Sequence, residues 1–213
     1  MELTSENNLG IQNCLDEVER SSKVTAIILA GGNSARFKTN KAFAQIEGKS
    51  FIQRIIEIVR PICSEILIVA TKPEDYLSLG YPVITDVFPN AGPIAGIHAG
   101  LMAAANEYSF VTACDMPFLS ANVINQLFFA AVGYQAAVPI IAGKSEPLRA
   151  VYSRDCAKTA EVQIKKNSLS ARDLIDALHT NLIDFANQES FTNINTVAEL
   201  DFALKVNKER CNK

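Results

Sequence analysis

Val24-Thr25-Ala26-Ile27-Ile28-Leu29-Ala30-Gly31-Gly32-Asn33-Ser34-Ala35-Arg36-Phe37-Lys38-Thr39-Asn40-Lys41 is the stretch around which this chain is organised. It opens as an apolar run rich in β-branched residues, which reads as a strand buried on both faces. The run breaks at Gly31-Gly32, where the backbone can take positive φ and approach a ligand closely. Ser34, Arg36, Lys38 and Lys41 follow, a cluster of donors and positive charge. A buried strand that empties into a glycine turn carrying Arg and Lys is suited to phosphate.

Familiar glycine motifs do not describe this turn. A P-loop requires a second glycine directly before its lysine, and none precedes Lys41. The dinucleotide fingerprint requires spaced glycines, whereas Gly31 and Gly32 are adjacent. A nucleophile elbow would place glycine where Arg36 stands.

Composition narrows the class further. With 213 residues, 48% hydrophobic and 20% charged, the chain can bury a sizeable core and fits one α/β domain better than two. A net charge of −3 disfavours a nonspecific nucleic-acid binder but tolerates a local basic pocket for a phosphorylated small molecule. Cys14, Cys63, Cys114, Cys156 and Cys211 are scattered, with no C-x-x-C, so neither a disulfide framework nor a zinc site is expected. That pattern favours a reducing cytoplasm. No apolar run is long enough to span a bilayer, and Met1–Lys23 lacks the look of a signal peptide. Residues 1–23 read as a polar extension, partly helical or mobile, ahead of a domain over 24–213.

Strands and helices alternate along the rest of the chain. Phe51, Ile52, Ile55, Ile56 and Val59 mark a helical face that ends at Pro61. Glu65–Ala70 reads as a strand, Pro73–Leu79 as a short helix, and Pro82–Thr85 as a strand closing on Asp86. Gly92-Pro93 opens a helix running to about Ala105. Ser109–Cys114 is a further strand, ending in Asp115. Such alternation predicts a mostly parallel sheet, whose ligands bind beyond the carboxyl ends of the strands. Leu29-Ala30-Gly31, Asp86 and Asp115 are therefore expected to converge. A carboxylate at the end of a buried strand is costly unless paired or on a cation, so Asp115 is either a Mg²⁺ ligand or the cap of the helix starting near Ser120. Gln135–Ala142 reads as a strand, and Lys144 and Arg149 beyond it as exposed loop cations, candidates to meet an anion. Ser170 with Asp173, and Thr196 with Glu199, are set as helix-capping pairs. His98 and His179, the two histidines, read as structural.

Leu29-Ala30-Gly31-Gly32-x-Ser34-x-Arg36 followed by Lys41 resembles the signature loop of the MobA-like nucleotidyltransferases, and in particular their guanylyltransferase branch. Gly92-Pro93-Ile94-Ala95-Gly96, Cys114-Asp115-Met116-Pro117-Phe118-Leu119, Pro147-Leu148-Arg149-Ala150-Val151-Tyr152 and Asn193-Ile194-Asn195-Thr196 resemble four further motifs of that family, in order. The resemblance runs from about Val24 to Ala203. It implies a Rossmann-like three-layer α/β/α sandwich, its mostly parallel sheet including an antiparallel strand.

The resemblance also implies a reaction: GMP passes from GTP to the terminal phosphate of molybdenum-loaded molybdopterin, releasing pyrophosphate. Leu29, Ala30, Gly31, Gly32, Ser34 and Asp86 would contact nucleotide, Arg36 and Lys41 the triphosphate, and Asp115 a Mg²⁺ ion. Lys144, Pro147, Arg149, Asn193 and Asn195 would lie on the acceptor side. A recipient molybdoenzyme or its chaperone would be a further partner. Phe37 and Lys38 depart from the family's Met-Gly, Asn40 stands where aspartate is common, and Thr71-Lys72 stands where an asparagine often contacts nucleotide. Lysine cannot mimic glycine's positive φ cheaply, so Lys38 is expected to replace a backbone contact to phosphate with a charge. A cytidylyltransferase on the same pterin, a sugar-phosphate nucleotidyltransferase and a non-catalytic cofactor chaperone are the alternatives.

Overall fold

A computed structural model describes residues 23–31 and 40–185. The expected 1–23 extension apart from Lys23, the loop residues Gly32, Ser34, Arg36 and Lys38, the Asn193–Thr196 motif and the Thr196/Glu199 cap lie outside them.

Ten strands and five α-helices are present among the described residues. They are β1 (Thr25–Leu29), β2 (Gln45–Ile46), β3 (Lys49–Ser50), α1 (Phe51–Val59), β4 (Glu65–Val69), β5 (Val83–Ile84), α2 (Pro93–Ala103) and β6 (Tyr108–Ala113). The chain continues with α3 (Ala121–Ala131), β7 (Ala136–Ile141), β8 (Lys144–Ser145), β9 (Arg149–Ser153), α4 (Cys156–Lys165), α5 (Ala171–Asp176) and β10 (Thr180–Asp184). The main sheet has the order β10-β7-β9-β6-β1-β4-β5, with β8 hairpinned onto β7. Neighbours from β6 through β1 and β4 to β5 are parallel, whereas β9 runs antiparallel to both β6 and β7.

β1 is the central strand, and all five of its residues are buried. Its alternation feeds two cores. Ala26 and Ile28 face Ile52, Ile55 and Val59 of α1 and Ile124 and Leu127 of α3. Ile27 and Leu29 face Ile94, Ile97 and Leu101 of α2, together with residues of α4 and α5. Helices on both faces of one sheet make the three-layer sandwich. Buried Thr25 is satisfied, since its hydroxyl donates to Glu65 Oε2 at 2.7 Å and accepts from Asn106 Nδ2 at 3.0 Å.

Local chemistry explains the helix starts. Ser50 caps α1 in a reciprocal box with Gln53. Gly92, at φ 69°, turns the chain into α2 with Pro93 as its first residue. Ser170 caps α5 as expected, although Asp173 instead accepts from the Ser168 hydroxyl. His98 is buried on α2 edge-on to Phe88, and burial holds its imidazole below the usual value; His179 stacks on Tyr134.

α2 sits very close to β1. A Cβ added at Gly100 would overlap the side chain of Ile27, and one at Gly96 would come within 3.0 Å of Leu29. Gly100→Ala should therefore destabilise the protein by about 1–3 kcal/mol, the usual cost of overpacking. A denaturation midpoint that recovers in the Gly100→Ala/Ile27→Ala double variant would trace the loss to that contact.

Two expectations are corrected. The short helix over Pro73–Leu79 is instead a pair of 3-10 turns, Pro73–Asp75 and Leu77–Leu79, because Tyr76 between them is drawn into the core with 2% exposure. The stretch after β7 is not a free loop. Lys144 lies in the β8 hairpin, and Arg149 opens β9, where it is 1% exposed.

Candidate active site

From β1 the chain moves outward to β4 and β5, then returns by α2 to β6 on the other side of β1. The carboxyl ends of β1 and β6 therefore flank a topological switch point, where sheets of this kind bind ligands. Cys114 N–H donates to Leu29 O at 3.0 Å, so the two strand ends leave the sheet side by side. Gly31 packs against Thr71, which would lie 3.2 Å from a Cβ at that position. A larger residue would crowd the turn.

The central feature is the pair Lys41–Asp115. Asn40 caps a 3-10 turn over Lys41–Phe43, its Oδ1 accepting from Ala42 N–H, and this turn carries Lys41 back across the strand ends. Lys41 Nζ lies 3.0 Å from Asp115 Oδ2. The helix cap near Asp115 falls to Ser120, so Asp115 does not cap α3. Its second oxygen, Oδ1, is buried without a hydrogen-bond partner. A buried, hard carboxylate oxygen with unused lone pairs fits a divalent cation that draws its remaining ligands from phosphate and water. Among the described residues there is no group of three or more His, Cys, Asp or Glu placed to hold a metal ion together. Burial, then Asp115, pushes the adjacent Cys114 thiol up to about 12, which favours the protonated thiol.

Arg149 enters from the antiparallel strand, opposite Thr112 at the end of β6. Its Nε donates to Met116 Sδ at 3.0 Å, and burial draws its guanidinium down to about 10 against the opposing pull of Glu146 and Asp115. The expectation of a solvated loop cation is wrong for Arg149, because pairing of β9 between β6 and β7 carries it inside. Lys144 is exposed, as expected. Pro147 is half-buried, its carbonyl accepting from Tyr152 OH at 2.8 Å. Asp86 follows β5 on the same sheet edge, with β4 standing between it and β1. The strand ends bearing Leu29–Gly31 and Asp115 thus lie side by side, while Asp86 follows β5, two strands out from β1. Gly32, Ser34, Arg36, Asn193 and Asn195 lie outside the described residues.

The MobA-like NTP transferase domain matches residues 26–181. The chain belongs to that family. A molybdenum cofactor guanylyltransferase of Desulfosudis oleivorans is 39% identical over 189 residues, covering 84% of this chain and 94% of the relative. A probable molybdenum cofactor guanylyltransferase of Clostridium perfringens is 34% identical over 198 residues, covering 86% and 97%. The crystal structure of molybdopterin-guanine dinucleotide biosynthesis protein A from Archaeoglobus fulgidus superposes with a TM-score of 0.74 at 25% identity, over 87% of this chain and 99% of that one. A synthetase crystallised with CTP, CMP:2-keto-3-deoxy-manno-octonic acid synthetase, shares the fold alone, with a TM-score of 0.70 at 14% identity. Nucleotidyltransferases of this family typically use a divalent metal.

One further residue stands at the site. Tyr76 touches both Ala30 and Asn40 and was not among the candidates. No sequence signal marks it, since it lies in a polar stretch between Pro73 and Leu79.

Proposed function

We propose that the chain transfers GMP from GTP to the terminal phosphate of molybdenum-loaded molybdopterin. The observation that carries the reading is the Lys41–Asp115 pair at the β1/β6 switch point, with Asp115 Oδ1 left for a cation. The relatives' names supply the substrates. In this reading an acceptor phosphate oxygen bonds to the α-phosphorus, the bond to the bridging oxygen breaks, and pyrophosphate leaves. The acceptor is already ionised, so the protein need not supply a base.

Catalysis of such transfers is mostly positioning and charge neutralisation. Mg²⁺, held by Asp115, would supply Lewis acidity across the phosphate oxygens. Lys41 and Arg36 would hold the triphosphate, and the Leu29–Gly32 backbone, Ser34 and Asp86 the nucleotide. Lys38 would add a third cation, ordered by nucleotide. Arg149, Lys144, Pro147, Asn193 and Asn195 would face the acceptor. The reading sets the reaction in the cytoplasm, compatible with the free thiols of Cys63, Cys114 and Cys156. Among the described residues no helix is long and apolar enough to cross a membrane. A recipient molybdoenzyme or its chaperone would collect the product.

The decisive experiment measures pyrophosphate release with GTP and with CTP, each with molybdopterin, with a hexose phosphate and with neither. Release that requires both GTP and the pterin is expected. A CTP requirement would make the chain a cytidylyltransferase, a hexose-phosphate requirement a sugar-phosphate enzyme, and pterin binding without release a chaperone. In the same assay Lys41→Ala should lose about 1.5–3 kcal/mol of charge-assisted binding, or about ten- to a hundredfold in kcat/KM. Normal turnover would remove Lys41 from the machinery.

A further inference from the structure

Tyr76 occupies a position that the reaction as described does not use. Its hydroxyl donates to Ala30 O at 2.9 Å, at the exit of β1. The same oxygen lies 2.9 Å from Asn40 Nδ2, at the entry to the Lys41 turn. A phenol has one hydrogen, and Ala30 O at 2.9 Å and Asn40 Oδ1 at 3.2 Å both lie within its reach; given to the nearer Ala30, it leaves the oxygen to receive from the Asn40 amide. The other end of that amide, Oδ1, already takes Ala42 N–H at 3.2 Å. One buried oxygen therefore ties the residue before the glycine turn to the residue before Lys41. From there the connections run without a break: Ala30, Tyr76, Asn40, the Lys41–Phe43 turn, and Asp115 at 3.0 Å from Lys41.

The ring and the hydroxyl have separable duties. The ring stacks on Phe43, with centroids 5.3 Å apart, and a phenylalanine would keep that packing. The hydroxyl alone links the two ends. Burial pushes its titration upward, so it stays protonated and able to donate. We propose that Tyr76 is a positioning residue, whose hydroxyl pins Ala30 to Asn40 and thereby sets the Lys41 ammonium against Asp115 to receive a nucleoside triphosphate. The proposal rests on the guanylyltransferase reading for its ligand, but not for its geometry.

Asn40 has a second contact that makes the device testable. Its Nδ2 lies 3.4 Å from Asp75 Oδ2. N40D would set a carboxylate beside Asp75 and remove the amide donor that the Tyr76 oxygen receives. D75N in that background would relieve the repulsion and donate to the new carboxylate, which the Tyr76 hydroxyl can also reach.

The test uses the full chain and Y76F, with two readouts. Hydrogen exchange at the Ala42 and Phe43 amides should speed by about five- to tenfold, the worth of one net hydrogen bond. KM for Mg·GTP should rise by a similar factor, while kcat changes less than about twofold and the thermal midpoint moves little, since the ring still packs. N40D should reproduce the KM rise, and N40D/D75N should return it to within about twofold of the parent. Unchanged exchange in Y76F would overturn the proposal, and so would faster exchange at an unchanged KM. If the parent chain releases no pyrophosphate from GTP, the functional reading fails, while the exchange measurement still decides whether the hydroxyl holds the Lys41 turn.

Discussion

Asp115→Asn should lower GMP transfer by about a hundred- to a thousandfold while the protein stays folded. Asparagine matches aspartate in shape, so α3 and the turn after β6 keep their packing. What disappears is the charge that faces Lys41 at 3.0 Å and the anionic Oδ1 that has no protein partner. The pair is partly exposed, with side-chain exposures of 14% for Lys41 and 25% for Asp115, so its own contribution to stability is small. The loss should thus fall on catalysis rather than on folding. Two measurements check this: the thermal midpoint, expected to move little, and the metal concentration needed for half-maximal rate, expected to rise steeply. A fully active variant with unchanged metal dependence would remove Asp115 from the metal site.

The separation between what the sequence disclosed and what it concealed has a physical pattern. β1, β4 and β6 were legible because strands buried on both faces must be apolar throughout, and because they end in residues that cannot continue them, Gly31 and Asp115. Their ends could be placed on one sheet edge from the alternation with helices. The meeting of Lys41 and Asp115, 74 residues apart, follows from that placement, although the distance between them does not. β9 was concealed. Arg149-Ala150-Val151-Tyr152-Ser153 is short and begins with a charge, and only its pairing between β6 and β7 carries that charge inside. Tyr76 was concealed for a similar reason: its neighbours Glu74, Asp75, Leu77 and Ser78 stay at the surface while it turns inward to the Ala30 carbonyl. Residues fixed by local pattern can be read from sequence. Those fixed by a partner far along the chain require the fold.

Arg149 is where that difference bears on the acceptor role proposed above. A guanidinium that is 1% exposed is expensive to bury unless its donors are met, and Met116 Sδ is one of its contacts, through Nε. Burial lowers its hold on the proton to about 10, yet it remains charged at neutral pH, with Glu146 and Asp115 favouring the charged form. A cation kept inside at the amino end of β9, beside the turn that bears Asp115, is suited to a planar, bidentate grip on phosphate. Arg149→Met, which retains much of the side chain's apolar bulk, should lower kcat/KM for the pterin acceptor by about a hundredfold, as two charge-assisted bonds are lost. KM for GTP should be little changed. Arg149→Lys should recover only a small part of the activity, because a lysine ammonium cannot form the fork. A rise in the KM for GTP instead would move Arg149 to the nucleotide side of the site. Normal transfer by the methionine variant would mean that the buried charge serves the fold and not the acceptor.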